Sequence, residues 1–219
     1  MSKYQTIKRL FEEKADADKA EAMAAYMKNH FRFYGIQTPE RKAIIKEFLK
    51  TEKKQKTVDW AFLDACWADE HREFQYVVKD YLVAMKKWLR FDDITRIEAY
   101  VRSKQWWDSI DFLDTIIGYI GLEDKRVDEL MLAWAQDENF WVRRLAINHQ
   151  RGRKNLTDTD LLEKILVLNF GSDEFFINKA IGWALRDYSK SNRDWVADFV
   201  ARYAEKLAPL SVREASKYL

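Results

Sequence analysis

The feature that most constrains this chain is a recurrence. Segments beginning near Thr38 (TPERKAII), Phe74 (FQYVVKDYL), Trp106 (WWDSIDFL), Phe140 (FWVRRLAI), Phe175 (FFINKAIGW) and Leu210 (LSVREASKYL) vary one pattern at spacings of 32 to 36 residues. A near-constant period in the thirties signals stacked helical pairs, because one pair leaves an apolar face that only its neighbour can cover. The six segments are read as the starts of second helices, with the intervening stretches supplying the first. The expected fold is all-α, an α-solenoid of about six helix pairs forming a single domain over residues 1–219. Six glycines and two prolines are few for 219 residues, as a helical chain requires. The tetratricopeptide pattern of Trp, Leu-Gly and Tyr is not legible, so the irregular register favours a HEAT-like stack. Thr38-Pro39 reads as an N-cap followed by proline at the first helical position, and Gly35 as the stop of the helix before it. Acidic residues ahead of Phe140 and Phe175 supply cap and dipole signals.

Several classes fall away. With the single cysteine Cys66 there is no disulfide framework. The opening MSKYQTIKRLFEEKADADKAE is charged throughout, and no apolar run reaches the roughly 18 residues of a membrane span, so a cytoplasmic protein is expected, with no membrane partner. His30, His71 and His149 share no ligand spacing, so neither a metal nor another cofactor is expected. The net charge of +2 does not announce nucleic-acid binding, although a basic face balanced elsewhere gives the same sum.

Three helices carry misplaced residues. From Trp106, positions 106, 110, 113 and 117 are Trp, Ile, Leu and Ile, an apolar stripe that makes Trp106 core. Positions 107, 111, 114 and 118 are Trp, Asp, Asp and Gly, which puts Trp107 beside the stripe, over a carboxylate one turn away. In the next repeat Trp141 and Leu145 lie on the buried row, while Arg144, Asn148 and Arg151 form a polar one. In the following repeat Ile177, Ile181, Leu185 and Tyr188 are core, and Trp183 stands among Lys179, Arg186, Asp187 and Lys190. Equivalent faces of successive repeats are expected to line one concave surface carrying Trp107, Asp111, Arg144, Lys179, Trp183 and Arg186. Cations with exposed aromatics suit a polyanion with flat bases. Each residue also has a plainer role: such tryptophans commonly pack on the adjoining repeat, Asp111 pairs with an arginine, and Arg144 forms a surface ion pair. On spacing alone Asp108 and Asp114 compete with Asp111.

Five blocks in order, AYMKNHFRFYGIQTPERK, KQWWDSID, FWVRRLAI, FFINKAIGWALRDY and LAPLSVREASK, resemble the DNA alkylation repair enzymes of the AlkD type, DNA glycosylases built from HEAT-like repeats. The resemblance covers nearly the whole chain. It implies that Asp111, closing the Trp-Trp-Asp-Ser-x-Asp motif, is the catalytic carboxylate and that Trp107 and Trp183 flank the lesion nucleotide. It further implies that Arg144 grips the DNA backbone and that Tyr26 is a DNA contact; Thr38, Lys179 and Arg186 are further DNA-binding candidates beside those the resemblance supplies. Arg143 departs from the uncharged residue common at that place. The implied activity is monofunctional hydrolysis of the N-glycosidic bond of cationic alkylpurines such as 3-methyladenine and 7-methylguanine in double-stranded DNA. It would run in base excision repair, without a deep base-flipping pocket and without an obligatory protein partner, so a monomer is expected. Two other readings stand beside it: a non-catalytic helical-repeat module that binds DNA, and a peptide-binding scaffold.

Overall fold

The computed structural model describes all 219 residues. Thirteen α-helices and four single-turn 3-10 helices make up its regular structure, with no strand beyond an isolated bridge between Arg32 and His71. No helix is long and apolar enough to cross a membrane. The chain forms two compact units, Met1–Leu89 and Arg90–Leu219.

The first unit holds α1 (Lys3–Glu12), α2 (Ala17–Tyr26), α3 (Thr38–Gln55), α4 (Trp60–Ala68) and α5 (Arg72–Met85). Its loop before α3 is tied to α5 by Glu73, a buried carboxyl group that accepts the N–H groups of Gly35 and Ile36 at 2.9 and 3.1 Å. Two residues of this unit take parts other than those expected from the sequence. The N-cap of α3 is Gln37, and Thr38 and Pro39 are the first two helical residues, where the missing proline N–H has no helical partner to lose. Gly35 does not stop a helix: α2 ends at Tyr26, and Lys28 and Asn29 turn the chain through left-handed conformations. Gly35 serves a close approach, with φ +88° and no room for a Cβ against the Asp16 carbonyl.

The second unit holds α6 (Ile94–Val101), α7 (Trp107–Ile120), α8 (Arg126–Trp134), α9 (Phe140–Asn148), α10 (Thr159–Val167), α11 (Phe175–Ser189), α12 (Arg193–Arg202) and α13 (Pro209–Ala215). The six recurring segments thus open α3, α5, α7, α9, α11 and α13, each within two residues of its expected start. The fold is all-α and fits a helical-repeat solenoid. The period is also written in the hydrogen bonds. Asn139 to Gln105, Arg144 to Asp111, Arg153 to the Gly118 carbonyl, Asn169 to the Ala135 carbonyl, Lys179 to Glu214 and Ser211 to the Asn178 carbonyl all span 33 to 35 residues.

Within this unit α7 packs on α9, α9 on α11 and α11 on α13, so the second helices form a row. Ile110, Leu113 and Ile117 of α7, Leu145 of α9, and Ile177, Ile181 and Leu185 of α11 are fully buried. Each such side chain contributes about 1.5–3 kcal/mol. Trp106 is not one of them. It caps α7 from an extended conformation, half-buried, with Trp141 and Phe176 at 5.6 and 5.4 Å between ring centroids. The starts of α9 and α11 are capped by the side chains of Asn139 and Glu174, which accept from the N–H groups of Trp141 and Phe176. Two glycines set the helix separation. A Cβ at Gly118 would overlap the His149 carbonyl, and one at Gly182 would lie 2.5 Å from the Cβ of Glu214.

Candidate functional site

The row of second helices places Asp111 on α7 opposite Arg144 on α9. The Arg144 Nε donates to Asp111 Oδ1 and its Nη2 to Oδ2, both at 2.9 Å, while Nη1 donates to the Phe176 carbonyl at 2.7 Å. This is a bidentate ion pair with a third anchor on α11. The Arg144 side chain is 2% accessible and that of Asp111 16%, so the carboxylate keeps an edge in solvent and the guanidinium does not. Trp107 stands one turn before Asp111, half-buried. The polar row expected at 144, 148 and 151 is therefore mostly interior: Arg144 and Asn148 are buried, and only Arg151 is partly exposed. The reason is that the row faces the adjoining second helix across the Gly118 contact. Asp111 takes the arginine partner that its plainer role anticipated, and Arg144 has no surface face.

On α11, Trp183 is half-buried and ringed by cations. Arg144, Arg151, Lys179 and Arg186 lie 5.7, 5.3, 5.7 and 5.9 Å from its ring centroid. Such contacts are worth about 0.5–1 kcal/mol each at accessible positions, and the positive charges repel one another. Glu214 of α13 offsets the repulsion: it is buried, and its carboxylate pairs with Lys179 at 2.8 Å, Arg186 at 3.0 Å and Lys217 at 2.9 Å. Hydrogen bonds from Lys179 and Lys217 hold its pKa down to about 2. Beside this cluster Arg151, Trp183, Arg186, Asp187 and Lys190 line an open concavity of about 250 Å³. Three cations and one carboxylate around it make it attractive to an anion.

Beneath Asp111 lies a second, unequal rung. Asp114, one turn on, is 1% exposed. Its Oδ1 accepts from Thr115 Oγ1 at 2.9 Å, whereas Oδ2 has no hydrogen bond and sits 3.7 Å from Arg151 Nη1. Burial first, and then the Asp111 charge, push its pKa up to about 7, against the pull of Arg151 and Arg144. Asn148, between the two arginines in sequence, is buried, and neither side-chain amide atom has a hydrogen-bond partner.

Of the residues singled out from the sequence, the structure gathers Asp111, Arg144, Lys179, Trp183 and Arg186 on α7, α9 and α11, with Trp107 on the Asp111 row. Tyr26 and Thr38 belong to the first unit, exposed at the C-terminal end of α2 and the N-terminal end of α3. Glu214 escaped sequence reasoning, although it stands 35 residues after Lys179, one repeat on. The structure brings no group of three or more His, Cys, Asp or Glu side chains together as a metal-binding set.

The family described as DNA alkylation repair enzyme matches residues 7–219. No curated protein matches the sequence. Among solved structures, one described as a predicted DNA alkylation repair enzyme from Enterococcus faecalis is 36% identical, with a TM-score of 0.86 over 94% of this chain and 96% of the other.

Proposed function

Because this chain belongs to the DNA alkylation repair enzyme family, and the family implies DNA as its partner, we propose that it is a glycosylase acting on cationic alkylated purines in duplex DNA. Its substrates in this reading are lesions such as 3-methyladenine and 7-methylguanine, and it hydrolyses their N-glycosidic bond. The observation that carries the reading is the fixed carboxylate: Asp111, clamped by Arg144, with one edge in solvent and Trp107 a turn away.

The chemistry asks little else of the protein. Alkylation at N3 or N7 makes the purine cationic, so it leaves as a neutral base without being protonated. Positive charge passes to the deoxyribose in an oxocarbenium-like transition state, and a single carboxylate can stabilise that charge and orient the attacking water. Ordinary glycosidases need a second carboxyl group to protonate the leaving oxygen. At an effective dielectric near 20, a carboxylate about 4 Å from the sugar cation is worth about 4 kcal/mol, and a guanidinium behind it at about 8 Å takes back about 2. The clamp therefore costs some attraction. In exchange it removes the carboxylate's rotational freedom, which supports a positioning role for Arg144 rather than a grip on the DNA backbone.

The two tryptophans then divide the work. Trp183 already shares its ring with four cations, which disfavours a cationic base there and suits the phosphodiester beside the lesion. Trp107, on the carboxylate row, is the ring for the cationic purine. Lys179 is committed to Glu214, so nothing supports a Schiff-base nucleophile, and the reading is monofunctional. The test is incubation of the protein with a methylated duplex. Release of free methylated purine with an alkali-labile abasic site is expected. An intact lesion in a salt-sensitive complex would favour the non-catalytic module, and restored unmodified purine would indicate direct dealkylation.

A further inference from the structure

We propose that Asp114 is a positioning residue for Asp111: sealed one turn deeper on the same row of α7, it gains or loses a single proton between Asp111 and Arg151 and so sets the charge behind the Asp111 carboxylate. The proposal rests on the glycosylase reading above.

The two carboxyl groups are unequal in a way that isolates the proton. Asp111 accepts two hydrogen bonds from Arg144 at 2.9 Å and keeps an edge in solvent. Asp114 is buried, takes one hydrogen bond from Thr115, and has an oxygen with no hydrogen bond 3.7 Å from Arg151 Nη1. That separation is too long for a hydrogen bond but short enough for attraction. The charged groups acting on Asp114 are Asp111 on its own helix, Arg144 on α9 and Arg151 in the turn after α9. His149, whose carbonyl meets Gly118, is held neutral by burial, which lowers its pKa to about 3, and Arg153 donates to the Gly118 carbonyl one turn further on. α6 and α8, which also pack on α7 within this unit, bury Ile94, Ile97, Tyr100 and Val101, and Val127, Met131 and Trp134, with the Tyr100 phenol the titratable side chain among them.

These opposed influences leave the Asp114 pKa at about 7, near the pH at which the protein would work. With the proton on, Asp111, Asp114, Arg144 and Arg151 sum to one positive charge. With it off, they sum to zero. Ionisation thus adds one negative charge on the side of Asp111 away from solvent, and the sugar cation forms more readily. The expected gain is on the order of tenfold in the chemical step, the size of a unit charge acting at roughly 10 Å through an effective dielectric near 20.

The experiment is single-turnover excision of a cationic alkyladenine, a base with no ring N–H proton of its own to titrate near neutrality, between pH 5.5 and 8.5 at saturating enzyme. Wild type should rise about tenfold with a midpoint near 7. Asp114→Asn should stay at the wild-type low-pH level throughout, and Arg151→Met should move the midpoint upward. A flat wild-type profile, or the same rise in Asp114→Asn, overturns the proposal. Absence of release by wild type at every pH removes the glycosylase reading and this proposal with it. Unfolding supplies an arm independent of excision. A carboxyl group whose folded pKa lies above its unfolded value costs stability as pH rises from about 4 to about 7. The wild-type unfolding midpoint should therefore fall relative to Asp114→Asn across that window, and parallel midpoints would overturn the proposal even if excision occurs.

Discussion

Replacing Arg144 with methionine would test whether the clamp on Asp111 is structural as well as chemical. The substitution keeps a long side chain against Phe176 and Trp183 but deletes two hydrogen bonds to Asp111 and one to the Phe176 carbonyl. Breaking a buried ion pair by removing one partner costs about 3–5 kcal/mol, because the other charge is left behind. Asp111 retains 16% accessibility, so water can rehydrate it and the low end, about 3 kcal/mol, is expected. In an Asp111→Asn background no charge is abandoned, and Arg144→Met should cost about 1–1.5 kcal/mol. The double-mutant cycle should then return a coupling of about 1.5–2 kcal/mol. Urea unfolding followed by tryptophan fluorescence reads it, since six of the nine tryptophans lie between Trp106 and Trp195. Because the two units need not unfold together, the transition sensitive to Arg144 is the one to fit. A coupling below about 0.5 kcal/mol would refute the argument, as it would make the pair no stronger than an exposed surface bridge.

Three further outcomes are expected. Gly118→Ala should destabilise the protein by about 1–3 kcal/mol or more, seen in thermal unfolding, because the helices must separate to admit a methyl group at the His149 carbonyl. Glu214→Gln should lower stability at neutral pH by leaving Lys179, Arg186 and Lys217 without their shared anion. Since the Glu214 pKa is depressed to about 2, its contribution is present above about 4.5 and lost as pH falls towards 2, so the acid-side decline should be shallower in the variant. Arg186→Gln should weaken duplex binding and reduce the slope of log affinity against log salt by about one, and an unchanged slope would remove Arg186 from the phosphate contacts.

The residues show how far the sequence could be read. The repeat spacing predicted every second helix because the spacing is what stacking enforces, and the apolar stripes at 110, 113 and 117 and at 177, 181 and 185 are buried as drawn. A helix read alone assigns every charged row to solvent, and these polar rows depart from that. In a stack, a polar row can face the next second helix and be buried there, as Arg144, Asn148 and Asp114 are. A signal for this was present. Gly118 shares the row of Trp107, Asp111 and Asp114, and its missing side chain marks the approach to the His149 carbonyl. Opposite charges one repeat apart carried a second signal, Asp111 with Arg144 and Lys179 with Glu214. The cap of α3 lies one residue before the expected Thr38 because proline at the second helical position is as permissible as at the first.

In the proposed reaction one clamped carboxylate drives excision. The most direct measurement is the single-turnover release of 7-methylguanine from a methylated duplex by wild type and by Asp111→Asn, with duplex affinity measured alongside. Asp111→Asn removes an attraction of about 4 kcal/mol and leaves about 2 kcal/mol of repulsion from Arg144, where wild type nets about 2 of attraction, so the rate should fall about a thousandfold. Affinity should hold within a few fold. Excision by the variant at the wild-type rate would remove Asp111 from the mechanism.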